Sequence, residues 1–301
     1  MANRSTRELY AARGAYFTRR LSWQRSLHPS ALACVRKRAA AAAAADAGRT
    51  SPLTLVFVGD SHMRMLFAHA VALLGGNVSN QCGAWHVDLH NDIHDEGGEG
   101  GAAATAAVPL VRLSFVWVDG IHTNGRHGCH SRGQYSGRNS TLPPLPPGDL
   151  YFVGAPIHWE AAFCAEAWRE VREAAPSYVE WMASEGSAGK PKIWVSANPR
   201  ASAIACPACG CRADGGEGRS NARILRLNSL AWSVAAERGG FLLHDTWALS
   251  SDAYEYEADG YDKVHFSSVD CNPSSPRSFT VVGVIDAIRA HAALTRFVCP
   301  N

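Results

Sequence analysis

No apolar run in the sequence approaches the about 18 residues that a bilayer-spanning helix needs, so no membrane span is expected in this chain. Charge is also scarce. Asp, Glu, Lys and Arg make up 19% of residues, below the usual quarter or so. The formal net charge is only +2. With neither sign dominant, nothing in the composition calls for nucleic acid or an anionic membrane as partner. The opening residues, Met1-Ala-Asn-Arg-Ser-Thr-Arg-Glu, lack the apolar core of a signal peptide. Taken alone, that end implies either a cytoplasmic protein or a chain without its leader. No internal repeat is visible.

Cysteine is what the chain has in quantity. The nine are Cys34, Cys82, Cys129, Cys164, Cys206, Cys209, Cys211, Cys271 and Cys299. Most lie in Gly/Ser/Pro-rich stretches rather than in apolar strands, a placement that suits disulfides and an oxidising compartment. Asn-x-Ser/Thr sequons at Asn3, Asn77 and Asn139 fit the same compartment. The expected location is therefore the secretory lumen (Golgi) or outside the cell, against the cytoplasmic reading of the N-terminus. The odd count leaves at least one thiol unpaired or paired between chains.

A composition shift near residue 50 divides the chain. Residues 1–50 form a lead-in, basic and aromatic at first, with a helix-favouring run from Ala39 to Ala45 and otherwise the character of a spacer. Residues 51–301 alternate short apolar runs with amphipathic segments. Strands are predicted at Leu53–Val58, Val111–Val118, Asp149–Val153, Lys192–Ala197 and Phe241–Asp245. Helices are predicted at Met63–Leu74, Glu160–Met182, Asn221–Arg238 and Ser278–Phe297. Residues 91–107, 119–148, 198–219 and 246–277 read as loops. This alternation predicts an α/β fold with a five-stranded, mostly parallel sheet covered on both faces. Ligands of such sheets bind beyond the carboxyl ends of the strands. The unusual segments of this chain all follow strands: Gly59-Asp60-Ser61-His62, Asp119-Gly120-Ile-His122, Gly154-Ala-Pro-Ile-His158-Trp159 and Asn198-Pro199-Arg200.

Ser61 stands where a strand turns into a helix. A serine hydroxyl needs a base to become a nucleophile, and its position must let backbone N–H groups meet a developing oxyanion. Gly59 permits the tight turn, and the helix start aims N–H groups at the rim. The simpler use of Asp60 or Ser61 is as a helix cap. Near the C-terminus, Asp259-Gly-Tyr-Asp262-Lys-Val-His265 supplies a base and a carboxylate to orient it: Asp262 on one ring nitrogen of His265, the other facing Ser61. Asp259 is the rival orienter.

Gly59-Asp60-Ser61-x-x-Arg64 together with Asp262-x-x-His265 resembles the SGNH/GDSL hydrolase superfamily. Within it the chain is most similar to the PC-esterase-like branch, with the trichome-birefringence-like wall O-acetyltransferases and the luminal domains of sialate O-acetyltransferases. Arg64 and His158-Trp159 favour that branch, and Gly14, Trp23 and Cys34 echo its lead-in. The resemblance runs in order and spacing over about residues 50–300. It implies a flavodoxin-like three-layer α/β/α sandwich and a Ser61–His265–Asp262 triad. It also implies acetyl transfer to or from carbohydrate hydroxyls, with Asp60, His62, Arg64, His158 and Trp159 near the substrate and no cofactor. The acetyl donor and the oligomeric state are left open. Family members take oxyanion donors from a glycine after the second strand and an asparagine after the third. Gly120 fits the first role. The third-strand segment, Gly154-Ala-Pro156, has no asparagine, and Pro156 has no N–H to donate. The Gly154 N–H, Asn124 or Asn198 remain as substitutes.

Two other readings use the same residues. Asp60-Ser-His62 after a strand also fits the Asp-x-His of a two-metal phosphoesterase, although the later Gly-Asp-x-x-Asp/His and Gly-Asn-His-Glu/Asp motifs of such enzymes are absent from the sequence. The missing third-strand asparagine also fits a non-catalytic glycan-binding protein of the same fold. Cys206-Pro-Ala-Cys209-Gly-Cys211 has zinc-like spacing without an obvious fourth ligand, so disulfides are its expected use. His86, His90 and His94 would share a face on a helix, but their surroundings also read as a strand or loop. His122, His127 and His130 are expected to line a polar cleft. Of Trp117, Trp159, Trp194 and Trp247, most are expected in packing, with Trp159 the one placed to stack on a sugar.

Overall fold

The computed structural model of the chain describes residues 27, 29–42, 44, 51–77, 89–94, 109–118, 144–154, 176, 179–182, 188–198, 221–250, 268–270, 280–282 and 284–299. The chain enters through helix α1 (29–42). There follow β1 (Leu53–Gly59), α2 (Ser61–Leu73), β2 (Leu89–Ile93), β3 (Val111–Trp117), β4 (Leu150–Gly154) and β5 (Lys192–Val195). Then come α3 (Asn221–Gly239), β6 (Leu242–His244), β7 (Ser268–Asp270), β8 (Thr280–Val282) and α4 (Val284–Ala293), which runs into a π-helical turn, Leu294–Val298.

The fold is α/β. Its main sheet has six strands in the order β2-β3-β1-β4-β5-β6. The five expected strands are present and pair in parallel, each within a residue or two of its expected ends. The sheet is nevertheless mixed, because β2 joins the edge antiparallel to β3. That strand replaces the start of the expected 91–107 loop. Its Leu89 and Ile93 are buried while His90 and Asp92 face away, as the two-residue period of a half-buried strand requires. Arg112 grips Asp92 with two hydrogen bonds, at 2.7 and 2.9 Å, directly across the pair. A strand here removes the helical face on which the histidines would converge: His90 bonds the Ser114 hydroxyl at 3.0 Å instead. His86 lies outside the described residues.

A second departure concerns the C-terminal part. Residues 280–282 were expected within the last helix, and 268–270 within a loop. They form the β7–β8 antiparallel pair. Thr280-Val281-Val282 is a β-branched run, which favours the extended chain, and the helix starts only at Val284.

The strands alternate between two apolar cores. Leu53, Leu55 and Phe57 of β1 and Phe152 of β4 face α1, α2 and α4. Val56, Val58, Tyr151 and Val153 face α3 and the helical turn at 179–182. Phe57 stacks on Phe152 with centroids 4.9 Å apart and meets Phe67 of α2 edge-on at 5.8 Å. Helix α1, inside the segment read as lead-in, gives Ala31 and Val35 to the first core. A disulfide between Cys34 and Cys299 ties it to the end of the chain. The other seven cysteines lie outside the described residues, as do the histidines of the 119–148 stretch and most of the 160–182 helix.

Taken in chain order, the five parallel strands lie 2-1-3-4-5 across the sheet. The chain crosses to one side of β1 and then returns to the other, so a switch point falls between β1 and β4. In open α/β sheets the crevice at such a point, beyond the strand ends, is where ligands bind. Gly59 and Gly154 end these two strands.

Candidate active site

The exit of β1 depends on its glycine. Gly59 has φ +151°, and a Cβ there would sit 2.5 Å from Met63 Cγ. Gly154, at the end of β4, is also pressed by the Met63 side chain. The two strand ends therefore close on one methionine of α2, with no room for larger residues. A Gly59→Ala variant should lose about 1–3 kcal/mol from backbone strain alone, read as a lower thermal midpoint. An unchanged midpoint would show that the turn tolerates a side chain.

Asp60 follows in extended conformation and caps α2: its Oδ1 accepts the His62 N–H at 3.0 Å. This explains why the helix begins at Ser61, two residues before the apolar pattern first shows itself. Ser61 is thus the first residue of α2, at the rim beside the switch point, and it is 5% exposed. His62 is buried next to it. Arg64 lies one helical turn in, 1% exposed, and burial lowers its guanidinium below its ordinary value.

Gly154, His62 and Asn198 line a small cavity with Met63, Leu66, Ser196, Thr246, Asp286 and Arg289. Its free volume is about 10 Å³, roughly the space of one water. Asn198, expected directly after the strand and observed three positions past the end of β5, is brought to the same cleft as the end of β4. Helix α3 holds the chain next to it. The Asn228 side chain accepts from Ala197 N at 2.7 Å and donates to Ala197 O at 2.9 Å, a two-point clamp on the backbone beside Asn198.

The exit of β6 closes the cleft from the other side. Thr246 Oγ1 donates to Ser196 O at 2.5 Å and lies 3.3 Å from Asn198 Oδ1. Ser196 Oγ donates to Asp245 Oδ1 at 3.1 Å and accepts the Trp247 N–H at 3.0 Å. From α4, Arg289 donates to Thr246 O at 3.1 Å and to Ser250 Oγ at 2.5 Å, while its Nη1 meets Asp286 Oδ1 at 2.7 Å. The pair is buried, so each charge depends on the other for compensation. Ser196, Asn228, Thr246, Asp286 and Arg289 did not stand out in the sequence. A buried Asp-x-x-Arg reads there like any exposed helical pair, and only Asn228, polar on the apolar face of α3, carried a signal.

His244, at the base of this network, donates Nε2–H to Arg289 O at 3.2 Å and packs edge-on against Phe297. Burial pushes its imidazole down to about 4; the hydrogen bond to the Arg289 carbonyl and the Asp245 charge oppose this, and the Arg289 and Arg296 charges add to it. In the unfolded chain its value returns to the ordinary 6.5. As pH falls below that value, the unfolded chain takes up the proton first. The stability this group contributes is complete above pH 6.5 and drains away toward pH 4, by about 3 kcal/mol. Denaturant unfolding at pH 7 and pH 4 should show this loss, and a His244→Gln variant should flatten the slope. An equal slope in both proteins would refute the assignment.

The structure thus brings Gly154, His62 and Asn198 together at one cleft, with Asp60 and Ser61 at the adjoining helix start. Gly120, Asn124, His158, Trp159, Asp262 and His265 lie outside the described residues. Trp117 and Trp194 are core residues, and Trp247 packs at the edge of the second core. No protein-family model matches the chain, and no curated protein matches it.

Proposed function

We propose that the chain is a serine-dependent O-acyl esterase or O-acetyltransferase acting on carbohydrate hydroxyls, built on an SGNH-type, flavodoxin-like three-layer sandwich. The observation that carries this reading is the position of Ser61. It opens α2 immediately after Gly59, at the rim beside the switch point of the sheet. The 2-1-3-4-5 order of the parallel strands supports the flavodoxin-like assignment. Asp60, engaged as a helix cap, has a structural use in this reading rather than a metal-binding one.

In the proposed mechanism His265 removes the Ser61 proton as Oγ attacks the acetyl carbonyl. Asp262 holds the imidazole in the required tautomer and stabilises its charged form. The tetrahedral oxyanion is met by the N–H groups of Ser61 and Gly120, with Gly154 close by. Collapse expels the donor's alcohol, protonated by His265, and leaves an acetyl ester on Ser61. Water or a sugar hydroxyl, deprotonated by His265, then takes the acetyl group and restores the serine. His62, Arg64, His158 and Trp159 are assigned to the sugar side of the cleft. The secretory lumen is the proposed compartment, supported by the Cys34–Cys299 bond.

The test is acetyl-ester turnover by the wild type and by Ser61→Ala, with and without a chelator. Turnover that vanishes in the variant and ignores the chelator supports the serine mechanism. Turnover that survives Ser61→Ala and disappears with the chelator would overturn it in favour of metal chemistry at Asp60 and His62.

A further inference from the structure

The end of the sheet opposite Ser61 carries a second cavity, of about 470 Å³. It opens where the strands begin rather than where they end: Leu53, Leu150 and Leu242 are the first residues of β1, β4 and β6. Its floor is apolar. Leu55 and Ile193 are fully buried there, and Phe297 and Val298 of the π-helical turn close one side. Helix α1 forms another side through Arg38 and Ala42. That helix is held in place twice, by the Cys34–Cys299 bond and by Ser30 Oγ, 2.8 Å from His291 Nε2 of α4. The volume falls within the range usual for a small-molecule site, about 300–1,000 Å³. At ~30 Å³ for each water-sized group, it holds roughly 15 non-hydrogen atoms.

The charge around this cavity is one-sided. Arg38, Lys190 and Arg296 line it with a single acidic residue, Asp149. Asp149 is already engaged: its Oδ2 accepts the Thr54 N–H at 2.9 Å, and its Oδ1 lies 3.8 Å from Lys190 Nζ. Arg38 and Arg296 are exposed, and neither has a carboxylate partner among the described residues. They come from different elements, α1 and the π-helical turn, and line the same cavity. The Arg296 guanidinium carbon stands 5.1 Å from the centre of the Phe297 ring, where the charged and apolar parts of the lining join. Leu242, 54% exposed, keeps the mouth apolar. Cationic groups beside a buried apolar floor are complementary to a molecule with an oxyanion at one end and a hydrocarbon chain at the other. A guanidinium offers the oxyanion paired N–H donors, and each methylene buried on the floor adds about fourfold to affinity.

We propose that this cavity binds a single-chain fatty carboxylate of about 10–12 carbons, the length its volume admits. The carboxylate sits on Arg38 and Arg296, and the chain lies on Leu53, Leu55, Leu150 and Ile193. The site is separate from the cleft at Gly59 and Gly154. β1 alone puts seven residues between them, roughly 20 Å of extended chain. Binding here requires no chemistry at Ser61. Because α1 is a wall of the cavity, the disulfide that fastens α1 also preserves the site.

The experiment is calorimetric titration of the full, oxidised chain with dodecanoate below its micelle concentration, with thermal unfolding measured in parallel. Dodecanoate should bind as one molecule per chain and raise the thermal midpoint, since it binds only the folded protein. Acetate, a head without a chain, should bind at least about 100-fold more weakly. Dodecyltrimethylammonium, the same chain under the opposite charge, should bind at least about tenfold more weakly. The double variant Arg38→Gln/Arg296→Gln should weaken dodecanoate about 100-fold, at about tenfold for each charge-assisted hydrogen bond lost. Leu242→Glu sets a like charge at the mouth and should weaken it several-fold. Lys37→Gln, on α1 but outside the lining, should leave binding unchanged. All four substituted residues are exposed, so the variants should unfold at the wild-type midpoint when no dodecanoate is present. Equal affinity for the two dodecyl heads would mean apolar adsorption only and would overturn the proposal. So would an affinity unmoved by the paired arginine substitutions, or no saturable binding to the wild type. A tenfold preference for dodecyl phosphate, titrated beside dodecanoate, would overturn the carboxylate assignment. None of these outcomes touches the serine mechanism, which acetyl-ester turnover by the same preparations reads separately.

Discussion

Replacing Ser61 with alanine should lower acetyl-ester turnover by about 10⁴-fold or more, the scale seen when a nucleophile is removed from a serine triad. The loss should fall on kcat, because the hydroxyl makes and breaks a covalent bond rather than contributing uniform binding. The fold should survive. Ser61 Oγ is not the cap of α2, since Asp60 performs that task through the His62 N–H, so alanine at the first helical position leaves the helix start intact. An Asp60→Ala variant should behave in the opposite way and lose stability, on the order of 1 kcal/mol for a lost cap. Comparing the two separates chemistry from architecture at adjacent residues. If Ser61→Ala retained wild-type turnover with an unchanged thermal midpoint, the serine at the switch point would be only the first residue of a helix.

The second large effect is expected at the disulfide. Cys34 and Cys299 are separated by 265 residues, so the bond closes most of the chain into one loop. Chain-entropy arguments put the stabilisation from so long a loop at about 5 kcal/mol. The bond also has a local task. It fastens α1, which gives Ala31 and Val35 to the first core, against the π-helical turn after α4. Reduction, or a Cys34→Ser/Cys299→Ser pair of substitutions, should sharply lower the denaturant midpoint. α1 should be the first element to lose amide-exchange protection, because the bond is what fastens it to the C-terminal turn. The same result bears on compartment, since a protein that needs this bond is suited to an oxidising lumen. Equal stability of oxidised and reduced protein would remove that argument.

Much of the sheet was legible because its central strands β1, β4 and β5 are buried on both faces and so read as nearly unbroken apolar runs. Leu53–Val58 is the clearest case, and Gly59 marks where it must stop. The start of α2 was harder to place. Asp60 and Ser61 read equally well as cap and nucleophile, and the structure assigns the cap to Asp60. β2 escaped because an edge strand shows only half a pattern: Leu89 and Ile93 are its two buried apolar positions, separated by polar residues. The break before α4 was obscured by Ser278–Phe297 reading as one amphipathic stretch, although Thr280-Val281-Val282 carries the β-branched signal of a strand. Of the site, Gly59, Ser61, Gly154 and Asn198 were visible as odd residues at strand ends. The network that holds Asn198 was not, because sequence spacing does not reveal that Asp286, Arg289 and Thr246 meet in the interior. Nor does spacing reveal which of nine cysteines pair.

The most direct test of the central claim is to find where the acetyl group goes. The protein is incubated briefly with an activated acetyl ester, quenched in acid, digested, and its peptides read by mass spectrometry. The account predicts one acetyl group on Ser61, in the peptide containing Gly59-Asp60-Ser61, formed on the timescale of turnover and absent from Ser61→Ala. Acetyl found on another residue at that rate, or turnover with no acetyl on Ser61, would contradict it.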